Sequence, residues 1–191
     1  MIAGTAVAGL LAVLLIMLTR QSPPRMTQSG SVPLASQQTT EAVPDISNLT
    51  PRERFNRLYN RVMRAAQAGD EATVTQFTPM ALMAYAQLDS MDADARYHAA
   101  LLKVHTGEVD GSRALADTIL TLNPGHLFGY MIRGTVARFR KDEKELARAY
   151  SEFLKRYDIE IKLDKPEYNE HQTSMNDFQK AAVAKRSGGG S

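Results

Sequence analysis

The chain has 191 residues, enough for one compact domain with additional segments, and balances 23 Lys+Arg against 21 Asp+Glu. That balance implies no general attraction to nucleic acid. Cysteine is absent, which excludes disulfides, thiolate metal sites, cysteine catalysis and a lipoprotein anchor.

Residues 2–18 carry no charge. A run of this length sits at the short end of what crosses a bilayer as a helix. No basic residue precedes it, and Arg20, Pro23 and Pro24 stand where a signal peptide would have its small-residue cleavage site. An uncleaved transmembrane anchor over residues 1–19 is therefore expected. Arg20 and Arg25 follow the span, so the positive-inside rule leans toward a cytoplasmic helical domain without excluding a periplasmic one. Residues 20–48 are rich in Pro, Ser, Gln and Thr and have almost no apolar periodicity. Alone such a segment cannot bury enough surface to offset its ordering entropy. It is expected to act as an extended strap along a partner surface, touching it through Val32, Leu34, Val43 and Ile46.

The helical domain is expected over residues 49–186. Thr50, Pro51 and Glu53 form a helix-start signature, a capping residue with proline in the first turn and a capping-box glutamate. Phe55, Leu58, Tyr59, Val62, Met63 and Ala66 then recur at helical spacing. Ala68-Gly69-Asp70 ends this helix. The next, from Asp70 to Leu88, is expected to break at Thr78-Pro79 and restart. A third runs from about Asp92 to Thr106. A fourth, opened by Gly107, carries Val109, Ala116, Ile119, Leu120 and Leu122 on one apolar face and stops at Asn123-Pro124. A fifth covers about His126–Arg140, and a sixth about Asp142–Tyr157, with Leu146, Tyr150, Phe153, Leu154 and Tyr157 as its stripe. Residues 158–171 are expected as a loop. Ser174 caps a last helix from Met175 to about Lys185, and residues 187–191 form a flexible Gly/Ser tail.

A glycine turn, a second helix and a terminal proline at Gly107–Pro124 resemble the back half of a tetratricopeptide (TPR) unit. A 34-residue register counted from Ala93 starts the next unit at Leu127. It sets Tyr130, Gly134 and Tyr150 where that family favours aromatic, small and aromatic residues. The chain thus resembles membrane-anchored bacterial TPR-like proteins over about Asp92–Asp158, with a degenerate unit at Thr50–Leu88. Arg96, Ala116 and Val62 depart from the family pattern. The resemblance implies an all-α solenoid of about three helix pairs with a C-terminal capping helix, and protein binding on the concave face of the first helices. A further resemblance, with no motif behind it, is to extrinsic subunits of membrane assemblies such as phototrophic reaction-centre–antenna complexes.

No nucleophile elbow, zinc-protease helix or phosphate-loop motif occurs, and Gly188 to Gly190 follows no strand and precedes no helix. His98 and His105 lie seven apart, whereas helical metal ligands are more often three or four apart. The four histidines, His98, His105, His126 and His171, are accordingly expected to be surface or groove residues. Asp92 and Asp94 are expected in a first helical turn, favoured there by the helix dipole. No catalytic, cofactor or metal site is expected. Charge is divided between helices. Arg54, Arg57, Arg61 and Arg64 crowd the first, and Arg133 and Arg138 lie on the fifth without acids. A basic groove suits acidic peptide segments or anionic headgroups. The expected work is that of a non-catalytic, inner-membrane scaffold that docks onto subunits of a membrane complex. The rival is an envelope assembly factor or chaperone-like adaptor that binds clients transiently.

Overall fold

A computed structural model describes residues 48–188, and all its regular structure is helical. The helices are α1 (Pro51–Ala68), α2 (Glu71–Ala86), α3 (Ala93–His105), α4 (Val109–Leu122), α5 (Leu127–Arg140), α6 (Glu143–Glu160), α7 (Pro166–Glu170) and α8 (Gln172–Gly188). The anchor, the linker and the strap residues Val32, Leu34, Val43 and Ile46 lie outside the described residues. Among the described residues no helix is long and apolar enough to cross a membrane.

The helix ends follow from local chemistry. Thr50 caps α1, with Glu53 NH donating to Thr50 Oγ1 and Thr50 NH to Glu53 Oε2 at 2.9 Å. Gly69 ends α1 in the left-handed region at φ 73°, where a side chain would be strained. Asp70, Asp92 and Asp142 each accept a backbone N–H at the start of α2, α3 and α6. A carboxylate there also meets the positive end of the helix dipole. α1 packs on α2, α3 on α4 and α5 on α6, while α3 also touches α2 and α5. One apolar core, including Phe55, Leu58, Val62, Phe77 and Leu102, joins α1, α2 and α3. A larger one, including Ile119, Phe128, Ile132, Phe153 and Tyr168, joins α3 through α8, and Leu101 and Leu115 border both.

Several expectations need correction. α2 runs unbroken through Pro79. Proline removes one hydrogen bond, but Phe77, Thr78, Ala81 and Ala84 are buried on either side of it and keep both halves packed. Thr78 Oγ1 also donates to Val74 O within the same turn. Leu122 is 68% exposed, so the apolar face of α4 ends at Leu120. Residues 158–171 are not a loop: α6 continues to Glu160, a 3-10 turn follows, and Pro166 starts α7. α8 begins at Gln172, which puts Ser174 inside the helix, and it continues through Ser187 and Gly188.

A buried polar junction holds this C-terminal segment in place. Tyr168 Oη accepts the Leu127 N–H at 3.0 Å and donates to Glu160 Oε2 at 2.8 Å. Lys165 Nζ reaches the same carboxylate at 2.6 Å. Burial alone would raise the Glu160 carboxyl, but these two donors outweigh it and hold the pKa below its ordinary value. A Cβ on Gly125 would lie 2.3 Å from Glu160 Oε1, so a larger residue there would have to displace the carboxylate. His126 Nδ1 accepts from Phe128 N–H at 3.3 Å, which puts the ring proton on Nε2, facing Glu167 at the same distance. Two of the unpaired N–H groups opening α5 are thereby satisfied by side chains.

Phe153→Ala should cost about 3–5 kcal/mol, because its ring is fully buried against Tyr157 and Phe178. Gly134→Leu should destabilise comparably, since a Cβ there would meet Phe178 Cζ at 2.6 Å. Adding Phe178→Ala should relieve part of that loss in denaturant titrations. Additive losses in the double variant would count against this crossing.

Burial lowers the His126 pKa from its ordinary 6.5, although Glu167 opposes the shift. The neutral ring is thus the folded form. Its contribution is complete above pH 6.5 and fades as pH falls through the depressed value. Unfolding measured between pH 7 and 5 should show a shallower pH slope for His126→Gln than for the parent; equal slopes would refute the assignment.

Candidate functional site

A groove of about 450 Å3 opens between α1, α3 and the start of α8. Tyr59, Met63, Tyr97 and Leu101 supply its apolar surface, and Asn60, Gln67, His171 and Ser174 its neutral polar groups. Arg57 and Arg64, two helical turns apart on α1, bring positive charge to it, and both are exposed.

The six arginines expected on one basic face divide into groups. Arg57 and Arg64 line the groove. Arg54 and Arg61 turn toward α2. Arg54 donates to Gln87 and to Leu49 O, and the Arg61 guanidinium lies 4.0 Å above the Phe77 ring. Arg133 is held by Asp117 on α4 at 2.7 Å. Arg138 stands 6.0 Å from the Phe178 ring on α8. The six therefore do not share one surface: Arg57 and Arg64 line the groove, while Arg54, Arg61, Arg133 and Arg138 contact groups elsewhere in the fold.

Beside the groove, α3 and the α7–α8 junction bring three ligating side chains together. His98 Nε2 and His171 Nε2 are 3.0 Å apart, and Asp94 Oδ1 lies 2.9 Å from His171 Nε2 and 3.5 Å from His98 Nε2. Asp94 and His98 are one turn apart on α3. His171 arrives from the far end of the domain because Tyr168 fixes the preceding turn. The His98 ring stacks on Tyr59 at 3.8 Å, and the His171 ring meets Tyr97 and Phe128 edge-on. Burial drives the His98 imidazole down to a pKa of about 4 despite the neighbouring Asp94, so the ring is neutral near pH 7. Burial would raise the Asp94 carboxyl, but the His171 hydrogen bond and the nearby His98 and Arg52 hold it below its ordinary value.

The histidine reading is corrected in part: His98 and His126 are buried, whereas His105 is exposed and His171 lines the groove. The pair that meets is His98 with His171, whereas His105 is exposed at the other end of α3. The i,i+4 spacing of Asp94 and His98 was the available signal. Its third member, 73 residues away in sequence, had none. Asp92 is the α3 cap and pairs with Arg52 at 2.6 Å.

No protein-family model, curated protein or solved structure matches this chain.

The division of arginines is open to measurement. Arg61→Ala should lower stability by about 0.5–2 kcal/mol through loss of the Phe77 stack. Arg64→Ala, at an exposed groove position, should stay within about 0.5 kcal/mol. The reverse order in thermal unfolding would contradict the assignment.

Proposed function

We propose that this chain is a non-catalytic scaffold that holds an acidic, partly apolar segment of a partner protein in the α1–α3–α8 groove. The observation that carries the reading is the groove itself, an aromatic and aliphatic surface beside Arg57 and Arg64. Apolar surface flanked by fixed cations suits a peptide with carboxylates beside a hydrophobic anchor. The helix succession supports a TPR-like reading, since α3 and α5 begin 34 residues apart at Ala93 and Leu127. In this reading α8 caps the stack, because Phe178 packs on Tyr150 and Phe153 of α6 and beside Gly134 of α5.

The uncharged segment 2–18 then anchors the scaffold in a bacterial inner membrane, and residues 20–48 run as a strap toward partner subunits. Anchoring raises the effective concentration of the domain near membrane partners.

The full chain, extracted in mild detergent, should co-purify at a fixed ratio with a membrane complex. Arg57→Glu combined with Arg64→Glu should abolish that association while thermal unfolding changes little. Added salt should weaken the parent association, since exposed charge contacts are screened. Unchanged retention of the double variant, or no partner at fixed ratio with the parent, would reject the reading.

A further inference from the structure

The Asp94, His98 and His171 side chains form a small triangle of acceptor atoms with too few protons. The Nε2–Nε2 and Nε2–Oδ1 contacts at 3.0 and 2.9 Å both converge on His171 Nε2. That nitrogen carries at most one hydrogen. Directed at Asp94, it leaves the two imidazole nitrogens facing each other poorly bridged. If His98 Nε2–H instead donates to His171, the bare His171 nitrogen faces the Asp94 carboxylate lone pair to lone pair. His98 Nδ1 is buried without a hydrogen-bond partner, so nothing on that side of the ring fixes the His98 tautomer. A hydrogen bond satisfies one side of the triangle, whereas a cation accepts all three corners at once.

The dimensions fit a metal. Sides of 3.0, 2.9 and 3.5 Å leave a point about 2 Å from every corner, the length of Zn–N and Zn–O bonds. Two imidazoles with one carboxylate form a borderline ligand set that favours zinc over hard cations such as calcium or magnesium. Asp94 also lines a second cleft, of about 290 Å3, with Asn56, Glu167 and Glu170. Water from that cleft can complete a fourth position. The surrounding rings of Tyr59, Tyr97 and Phe128 restrict ligand movement.

We propose that Asp94 Oδ1, His98 Nε2 and His171 Nε2 bind one zinc ion, which clips the α7–α8 junction to α3. The inference stands independently of the docking reading. The clip joins elements 73 residues apart in sequence. Because His171 also lines the groove, the ion fixes one groove wall.

The test uses the full chain without a histidine tag, stripped with chelator and titrated with Zn2+ and separately with Co2+. One equivalent of Zn2+ should bind and raise the unfolding temperature, because a ligand that binds only the folded state stabilises it. Co2+ should give visible absorption of a low-symmetry nitrogen–oxygen site. His171→Gln and Asp94→Asn, both at half-buried positions, should lower affinity at least about 100-fold, beyond the usual cost of losing a supporting group. His105→Ala, at an exposed position outside the triangle, should bind as the parent does. Circular dichroism establishes which variants remain folded. The proposal is overturned if the parent shows no saturable uptake of one equivalent. Parent-like uptake by either folded ligand variant also overturns it.

Discussion

The C-terminal third depends on one hydroxyl group. Tyr168 Oη takes the first N–H of α5 and gives its own proton to Glu160 at the end of α6. A helix start buried without such a partner would leave an unsatisfied donor, at about 1–3 kcal/mol. The same group satisfies α5, neutralises part of the lone-pair demand of Glu160 and fixes the turn that carries His171 across to α3. Glycine at position 125 is what permits the carboxylate to come this close. The packing of α8 on α5 and α6 and the wall of the groove follow from that placement.

The groove and the ligating triangle thus share a border. His171 belongs to both, and Tyr59 and Tyr97 line the groove while contacting the histidine rings. The exposed, positively charged part of α1 and the buried, neutral His98 are separated by little more than the Tyr59 ring. Burial explains the difference in their chemistry. Exposed arginines keep their hydration, whereas burial holds His98 neutral, the form that coordinates metals.

Much of the all-α fold was legible in the sequence, because α1, α3, α5 and α6 each carry an apolar stripe and recognisable end signals. Thr50 with Glu53, Gly69, Gly107 and Asn123-Pro124 mark boundaries through local chemistry alone. Pro79 misled because tertiary packing of its neighbours outweighs the lost hydrogen bond. Residues 158–171 misled because α7 is a single short helix whose order comes from Tyr168 and Lys165 meeting Glu160, not from periodicity. The groove was half legible. The excess of arginine on α1 was visible, but not that positions 54 and 61 face α2 while 57 and 64 face outward, since the seven-residue spacing holds within each pair. His171 next to Asp94 and His98 was not legible, because the approach is set by the turn before α8 rather than by any local pattern.

The Tyr168–Leu127 contact also orders events during synthesis. The α1–α2–α3 core joins segments that follow one another closely, so it closes with little loop entropy as the chain emerges. The start of α5 is different: its first donor waits for a hydroxyl made 41 residues later. Until the last stretch has left the ribosome, α5 and α6 present Phe153 and Gly134 without the covering Phe178 ring. The packing of the C-terminal half is therefore complete only once the chain has been made through α8.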